Sequence, residues 1–122
     1  MMRRRLHVLV LVGVLAAAST PLLADARSQA KALVSFGIEV ANRGLWREAI
    51  YRWQRATEVD PTYAPAFNNL AVGYEQEGDL DKAQEAYEKA LALAPTDHNI
   101  RQNYELFKEI NERASAPPKE QP

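Results

Sequence analysis

The stretch APAFNNLAVGYEQEGDLDKAQEAYEKALALAP, residues 64–95, reads as two amphipathic helices joined by a tight turn. Phe67, Leu70, Ala71 and Tyr74 recur at i, i+3, i+4 and i+7, the spacing of one helical face. Gly78 then supplies a left-handed C-terminal stop. Asp79 is placed to cap the next helix, and Asp81 in its first turn faces the positive end of the helix dipole. Ala83, Tyr87, Ala90, Leu91 and Ala94 trace a second apolar face. Pro95 ends the unit, because proline cannot continue a helix and pushes its predecessor out of the α region.

The same unit occurs once before. Shifting the chain by 34 residues places Gly44 on Gly78, Ala49 on Ala83, Ala56 on Ala90, Pro61 on Pro95 and Thr62 on Thr96. Windows 30–63 and 64–97 are identical at seven of 34 positions, and those positions hold small residues and punctuation. Conservative pairs fill the rest: Leu33 with Phe67, Phe36 with Leu70, Ile38 with Val72, Trp53 with Tyr87, Val59 with Leu93. A fixed period of this length is the signature of stacked helical units that bury their faces against one another.

The pattern resembles the tetratricopeptide repeat family. That family places bulky residues at positions 4, 7 and 11, a small one at 8, Gly at 15, Ala at 20 and 27, an aromatic at 24 and Pro at 32. The second copy reads Phe67, Leu70, Ala71, Tyr74, Gly78, Ala83, Tyr87, Ala90, Pro95; the first reads Leu33, Phe36, Gly37, Val40, Gly44, Ala49, Trp53, Ala56, Pro61. Leu33 and Val40 are aliphatic where the family prefers aromatics. The resemblance implies an all-α fold, a short right-handed α-solenoid of helix-turn-helix pairs with about five helices. The small residues let paired helices approach closely, and larger ones there would cost about 1–3 kcal/mol by overpacking.

A third copy starts at residue 98 and stops. Residues 98–113 form another helix, but Arg101, Glu105 and Lys108 stand where the family pattern is bulky, small and bulky. Ile100, Tyr104 and Phe107, which by that pattern face the preceding unit, stay apolar. This is the composition of a capping helix, needed to keep a stacked array soluble. Residues 114–122 are read as a disordered polar, Pro-rich tail. At the other end, the first helix (about 29–43) has no unit before it, and Val34, Ile38 and Trp46 are the apolar residues expected at that open edge.

The N-terminus has the layout of a secretory signal peptide over residues 1–26. Three arginines at 3–5 precede an apolar run of about 13 residues, then Ser19-Thr20-Pro21, then Ala24-Asp25-Ala26 with cleavage expected after Ala26. The run falls short of the roughly 20 residues that span a bilayer. The mature domain is expected over 27–113 in the periplasm or outside the cell; inner-membrane anchoring by an uncleaved segment is the alternative.

Composition narrows the function. Formal net charge is −1 with no basic stripe, which disfavours nucleic acid. There is no cysteine, so disulfides, thiol catalysis and Cys-based metal sites are excluded. Downstream of the signal segment His98 is the only histidine, at an expected helix start, and no nucleophile–base–acid set assembles around it. Asp79 and Asp81 read as capping carboxylates, and Glu75, Glu77, Asp79 and Asp81 as a solvated loop. The glycines fall at repeat positions, not in a phosphate loop. No enzyme, cofactor or metal is expected.

Binding is better served. The resemblance implies that positions 2, 5, 6, 9, 12 and 13 of each first helix line a concave groove. Here that lining is Lys31, Val34, Ser35, Ile38, Ala41 and Asn42, then Pro65, Asn68, Asn69, Val72, Glu75 and Gln76. The third helix adds Asn99, Gln102, Asn103, Leu106, Glu109 and Ile110. Asn69 and Asn103 lie one period apart, and an amide offers a donor and an acceptor to a peptide backbone. Val34, Ile38, Val72 and Leu106 are read as an apolar stripe. The cationic clamp some relatives close on a terminal carboxylate has no counterpart, since Val34, Ile38, Asn99 and Asn103 occupy its places. The expected function is an exported adaptor that binds a peptide segment of another protein. The alternatives are a homodimer through the first helix and a membrane-tethered assembly factor.

Overall fold

A computed structural model describes residues 20–117. Five α-helices follow one another: α1 Thr20–Asn42, α2 Trp46–Val59, α3 Ala64–Glu77, α4 Leu80–Leu93 and α5 His98–Ser115. They form two antiparallel pairs, α1/α2 and α3/α4, with α5 packed on the second pair.

Each boundary has a local cause. Gly44 and Gly78 adopt φ +80° and +75°, the left-handed conformation that L side chains disfavour, and so turn the chain between paired helices. The Asp79 N–H donates to the Tyr74 carbonyl at 2.9 Å, closing the end of α3. Asp79 and Asp97 then accept from the backbone N–H groups of Lys82 and Ile100, satisfying donors that the first turns of α4 and α5 leave free. Pro65 sits in the first turn of α3, where a missing N–H is harmless.

The core is built on two buried rings. Trp53 packs between the pairs: a Cβ added at Gly37 would strike its indole, and one at Gly73 would lie 3.1 Å from it and 2.6 Å from Ile50. Its Nε1 donates to the Val34 carbonyl at 3.2 Å, so the ring is buried without an orphaned donor. Around it gather Ala30, Val34, Val40, Ala49, Ala56, Ala66 and Leu70. Tyr87 takes the equivalent place one period later. Its ring meets Phe107 of α5 at 5.4 Å and Tyr104 at 5.7 Å between centroids. Ile100 closes a third cluster with Ala64 and Ala90.

Three expectations need correction. First, the first helix extends upstream of residue 29: within the described residues α1 is continuous from Thr20 and runs without a break through residues 26–27. Second, α5 continues to Ser115, so residues 114 and 115 belong to the helix; 118–122 lie outside the described residues, as do 1–19 and the signal layout they carry. Third, Val34 does not lie at the open edge. It is 6% exposed in the α1/α2/α3 core, whereas Phe36, expected in the core, is 43% exposed. Leu70, its equivalent in α3, is buried in the cluster with α2; Phe36 has no such helix before it among the described residues. Arg52 covers the ring instead, its guanidinium carbon 4.8 Å from the centroid.

Candidate functional site

The first helices of the units, α1, α3 and α5, lie side by side. Val34 of α1 shares a cluster with Ala66 and Leu70 of α3, and the Asn103 amide of α5 donates to Asn68 Oδ1 of α3 at 3.2 Å. On the face these helices share, Ile38, Val72 and Leu106 occupy the same repeat position, 34 residues apart. Ile38 is 41% exposed, Leu106 55%, and Val72 half-buried between them. Val34 drops out of the stripe because it is core. What remains is a row with one aliphatic side chain per helix.

Amides flank the row. Asn42, Gln76, Asn99 and Gln102 are exposed, and Asn68, Asn69 and Asn103 are half-buried. The Asn69 Nδ2 donates to the Pro65 carbonyl at 2.8 Å, and Asn103 Nδ2 to Asn68. The expected Asn69/Asn103 pair thus commits one donor each inside the fold. The carbonyl oxygens of Asn69 and Asn103 and the amide of Asn68 keep capacity for a ligand. Lys31 is exposed at the α1 end. Glu75 and Glu109, again one period apart, stand on the other flank.

Glu75 is held in place. The Tyr87 hydroxyl donates to its Oε2 at 2.6 Å, linking this face to the buried ring of the second pair. Burial first, and the neighbouring carboxylate second, push the Tyr87 phenol far above its ordinary range, so it remains a donor. Glu109 pairs with Arg113 one turn on.

One constellation was not read from the sequence. Arg27 ion-pairs with Asp60, donates to the Thr62 hydroxyl at 3.0 Å, and lies 4.9 Å from the Tyr63 ring centroid. Asp60 also accepts from the Thr62 backbone at 3.0 Å. Burial raises the Asp60 pKa, but the hydrogen bonds from Thr62 and Arg27 outweigh it, and the carboxyl sits below its ordinary value. This joins the first half of α1 to the α2–α3 turn. The signal in the sequence was a break in the period: Asp60 stands where the next unit has Ala94.

The family model of the tetratricopeptide repeat matches residues 64–97. The chain carries a tetratricopeptide repeat. Among solved structures it is similar to the Sgt2 TPR domain from Aspergillus fumigatus, with a TM-score of 0.67 over 76% of this chain and 65% of that one. At 24% identity, that likeness is one of fold. Among curated proteins it is similar to the uncharacterized protein ycf37 of Pyropia yezoensis, 44% identical over 41 residues, 34% of this chain and 23% of that one. It is also similar to a probable UDP-N-acetylglucosamine–peptide N-acetylglucosaminyltransferase SPINDLY of Oryza sativa subsp. japonica. There the identity is 38% over 63 residues, 52% of this chain and 7% of the relative. The chain spans less than a quarter of either curated relative, so the shared part is the tetratricopeptide-repeat region.

Proposed function

We propose that this tetratricopeptide-repeat chain is a non-enzymatic adaptor that holds a segment of a partner protein on the face shared by α1, α3 and α5. The observation that carries this is the aliphatic row Ile38, Val72, Leu106, exposed at its two ends and half-buried at Val72, with amides beside it. A monomer gains little from the exposed aliphatics Ile38 and Leu106 in register on either side of Val72, whereas a bound chain would bury them at about 25 cal/mol per Å² of apolar surface. The test is a photoreactive residue at position 72 in the native cell, with another at Lys89 of α4 as control. A protein adduct from 72 and none from 89 is expected. Equal labelling from both would remove the reading.

The signal layout of residues 1–26 supports export. Because α1 is helical across 26–27, cleavage there has to precede folding of that helix. Arg27 would then open the mature chain and keep its ion pair with Asp60. The N-terminal residue of the purified protein decides the point: Arg27 supports export with cleavage, and a start at Met1 or Met2 supports the tethered form.

Self-association through the first pair is a second reading, and its supporting observation is the exposed edge of Phe36 and Tyr51. Light scattering of the wild type and Phe36→Glu tests it. A dimer dissolved by that substitution would favour it over the adaptor.

A further inference from the structure

The residues read as a cleavage site are folded into the domain. Ala24, Asp25 and Ala26 lie inside α1, which is continuous from Thr20 to Asn42. The Ala26–Arg27 peptide bond therefore sits among the backbone hydrogen bonds of a helix. The Gln29 amide donates to the Asp25 carboxylate at 2.8 Å, a contact of one helical turn that spans this bond. Ala26 is half-buried and lines a cleft with Leu23, Val59 and Pro61, where α1 meets the α2–α3 turn.

Arg27, on the far side of the bond, is fastened three ways. Its guanidinium ion-pairs with Asp60, donates to the Thr62 hydroxyl and lies over the Tyr63 ring. Asp60 is held in turn, accepting from the Thr62 hydroxyl at 2.7 Å and from the Thr62 backbone. It is the only buried charged side chain among the described residues. Asp60 and Thr62 stand 33 and 35 residues beyond Arg27, so the tie forms only after α2 has folded back along α1.

A protease reaches a bond inside a packed helix only in the fraction of molecules that is locally unfolded. Hydrolysis here would break the Ala26 C–N bond. Water gives its hydroxyl to the Ala26 carbonyl carbon and a proton to the Arg27 nitrogen, which becomes the new terminal ammonium. That chemistry does not need Asp60, Thr62 or Tyr63. They act on it only by keeping the segment helical.

We infer that Arg27, Asp60, Thr62 and Tyr63 form a latch by which the folded domain closes its own leader-cleavage site. A signal peptidase that reaches the chain before the latch forms releases the domain. A chain whose latch forms first keeps residues 1–26 and stays tethered by the apolar run. Released and tethered molecules then share one fold, in a ratio set by folding rate against processing rate. This rests on the reading of residues 1–26 as a leader.

The test incubates the full chain in detergent micelles with purified signal peptidase and follows the product that begins at Arg27 by mass spectrometry. Wild type is compared with Ala56→Asp, Asp60→Asn and Asp97→Ala. All four have wild-type residues 1–55, so the leader and the scissile bond are the same in each. Ala56→Asp puts a carboxylate at a fully buried position and keeps the domain unfolded, which circular dichroism verifies. It should be cut at least about a hundredfold faster than folded wild type. Asp60→Asn opens the latch alone and should be cut about tenfold faster than wild type. Asp97→Ala removes the cap of α5, a loss of comparable size in the last unit, and should be cut at the wild-type rate. An uncut Ala56→Asp chain would remove the leader reading and the latch with it. Wild type cut as fast as Ala56→Asp would keep the leader and overturn the latch. So would Asp60→Asn cut no faster than wild type, or Asp97→Ala cut as fast as Asp60→Asn.

Discussion

The two ends of the stack are finished differently. At the C-terminal end, α5 turns Ile100 and Phe107 inward and carries Arg101, Glu105 and Lys108 where a further helix would have packed. At the N-terminal end, α1 keeps a bulky Phe36 at the repeat position where Leu70 is buried, and screens it with one guanidinium. The same fold position is therefore a core residue in one unit and a surface residue in the other. Neighbours, not the repeat pattern, decide which.

The largest effect is expected at the finished end. Phe107→Ala removes the ring that docks α5 on Tyr87 and should cost about 3–5 kcal/mol in urea denaturation, with loss of the α5 contacts first. The equivalent pair comes next. Leu70→Ala should cost about 2–5 kcal/mol, while Phe36→Ala should stay within roughly 1 kcal/mol, the scale of an exposed cation–π contact. Similar losses at both positions would mean that the N-terminal edge is covered in solution. Between Leu70→Ala and Phe36→Ala falls Gly37→Ala, expected to cost about 1–3 kcal/mol because the new methyl meets the Trp53 indole, whereas in an open helix the same change would stabilise by about 0.5–1 kcal/mol.

The gentlest perturbation is of pH at the Arg27–Asp60 link. The folded Asp60 carboxyl titrates below its unfolded value, so its contribution is fully present above the unfolded pKa of about 3.9. It is lost as pH falls through the folded value. Asp60→Asn should therefore lower the thermal midpoint at pH 7 and flatten its decline on acidification. An unchanged midpoint at pH 7 would show that the link does not fasten the start of α1.

The sequence disclosed what the period repeats and missed what interrupts it. Gly78, Asp79, Tyr87 and Pro95 announced the second pair, and Ile100, Tyr104 and Phe107 announced the inward face of α5. Val34 was misread because its repeat position is polar Asn68 in the next unit; in α1 that position faces α3, and a valine there joins the core. The extension of α1 upstream of residue 29 was hidden because Ala24-Asp25-Ala26 suits a cleavage site and a helix interior alike. The Asn103–Asn68 and Asn69–Pro65 hydrogen bonds depend on side-chain rotamers, which spacing does not encode. Of the groove, the aliphatic row was legible once Val34 was removed, and the commitments of its amides were not.

Methyl-labelled Ile, Leu and Val resonances, titrated with the partner protein crosslinked at position 72, test the binding face most directly. The expected shifts fall on Ile38, Val72 and Leu106, with Leu33, Ile50 and Leu91 unmoved. Shifts confined to residues around the Phe36 edge, with Val72 and Leu106 silent, would contradict it.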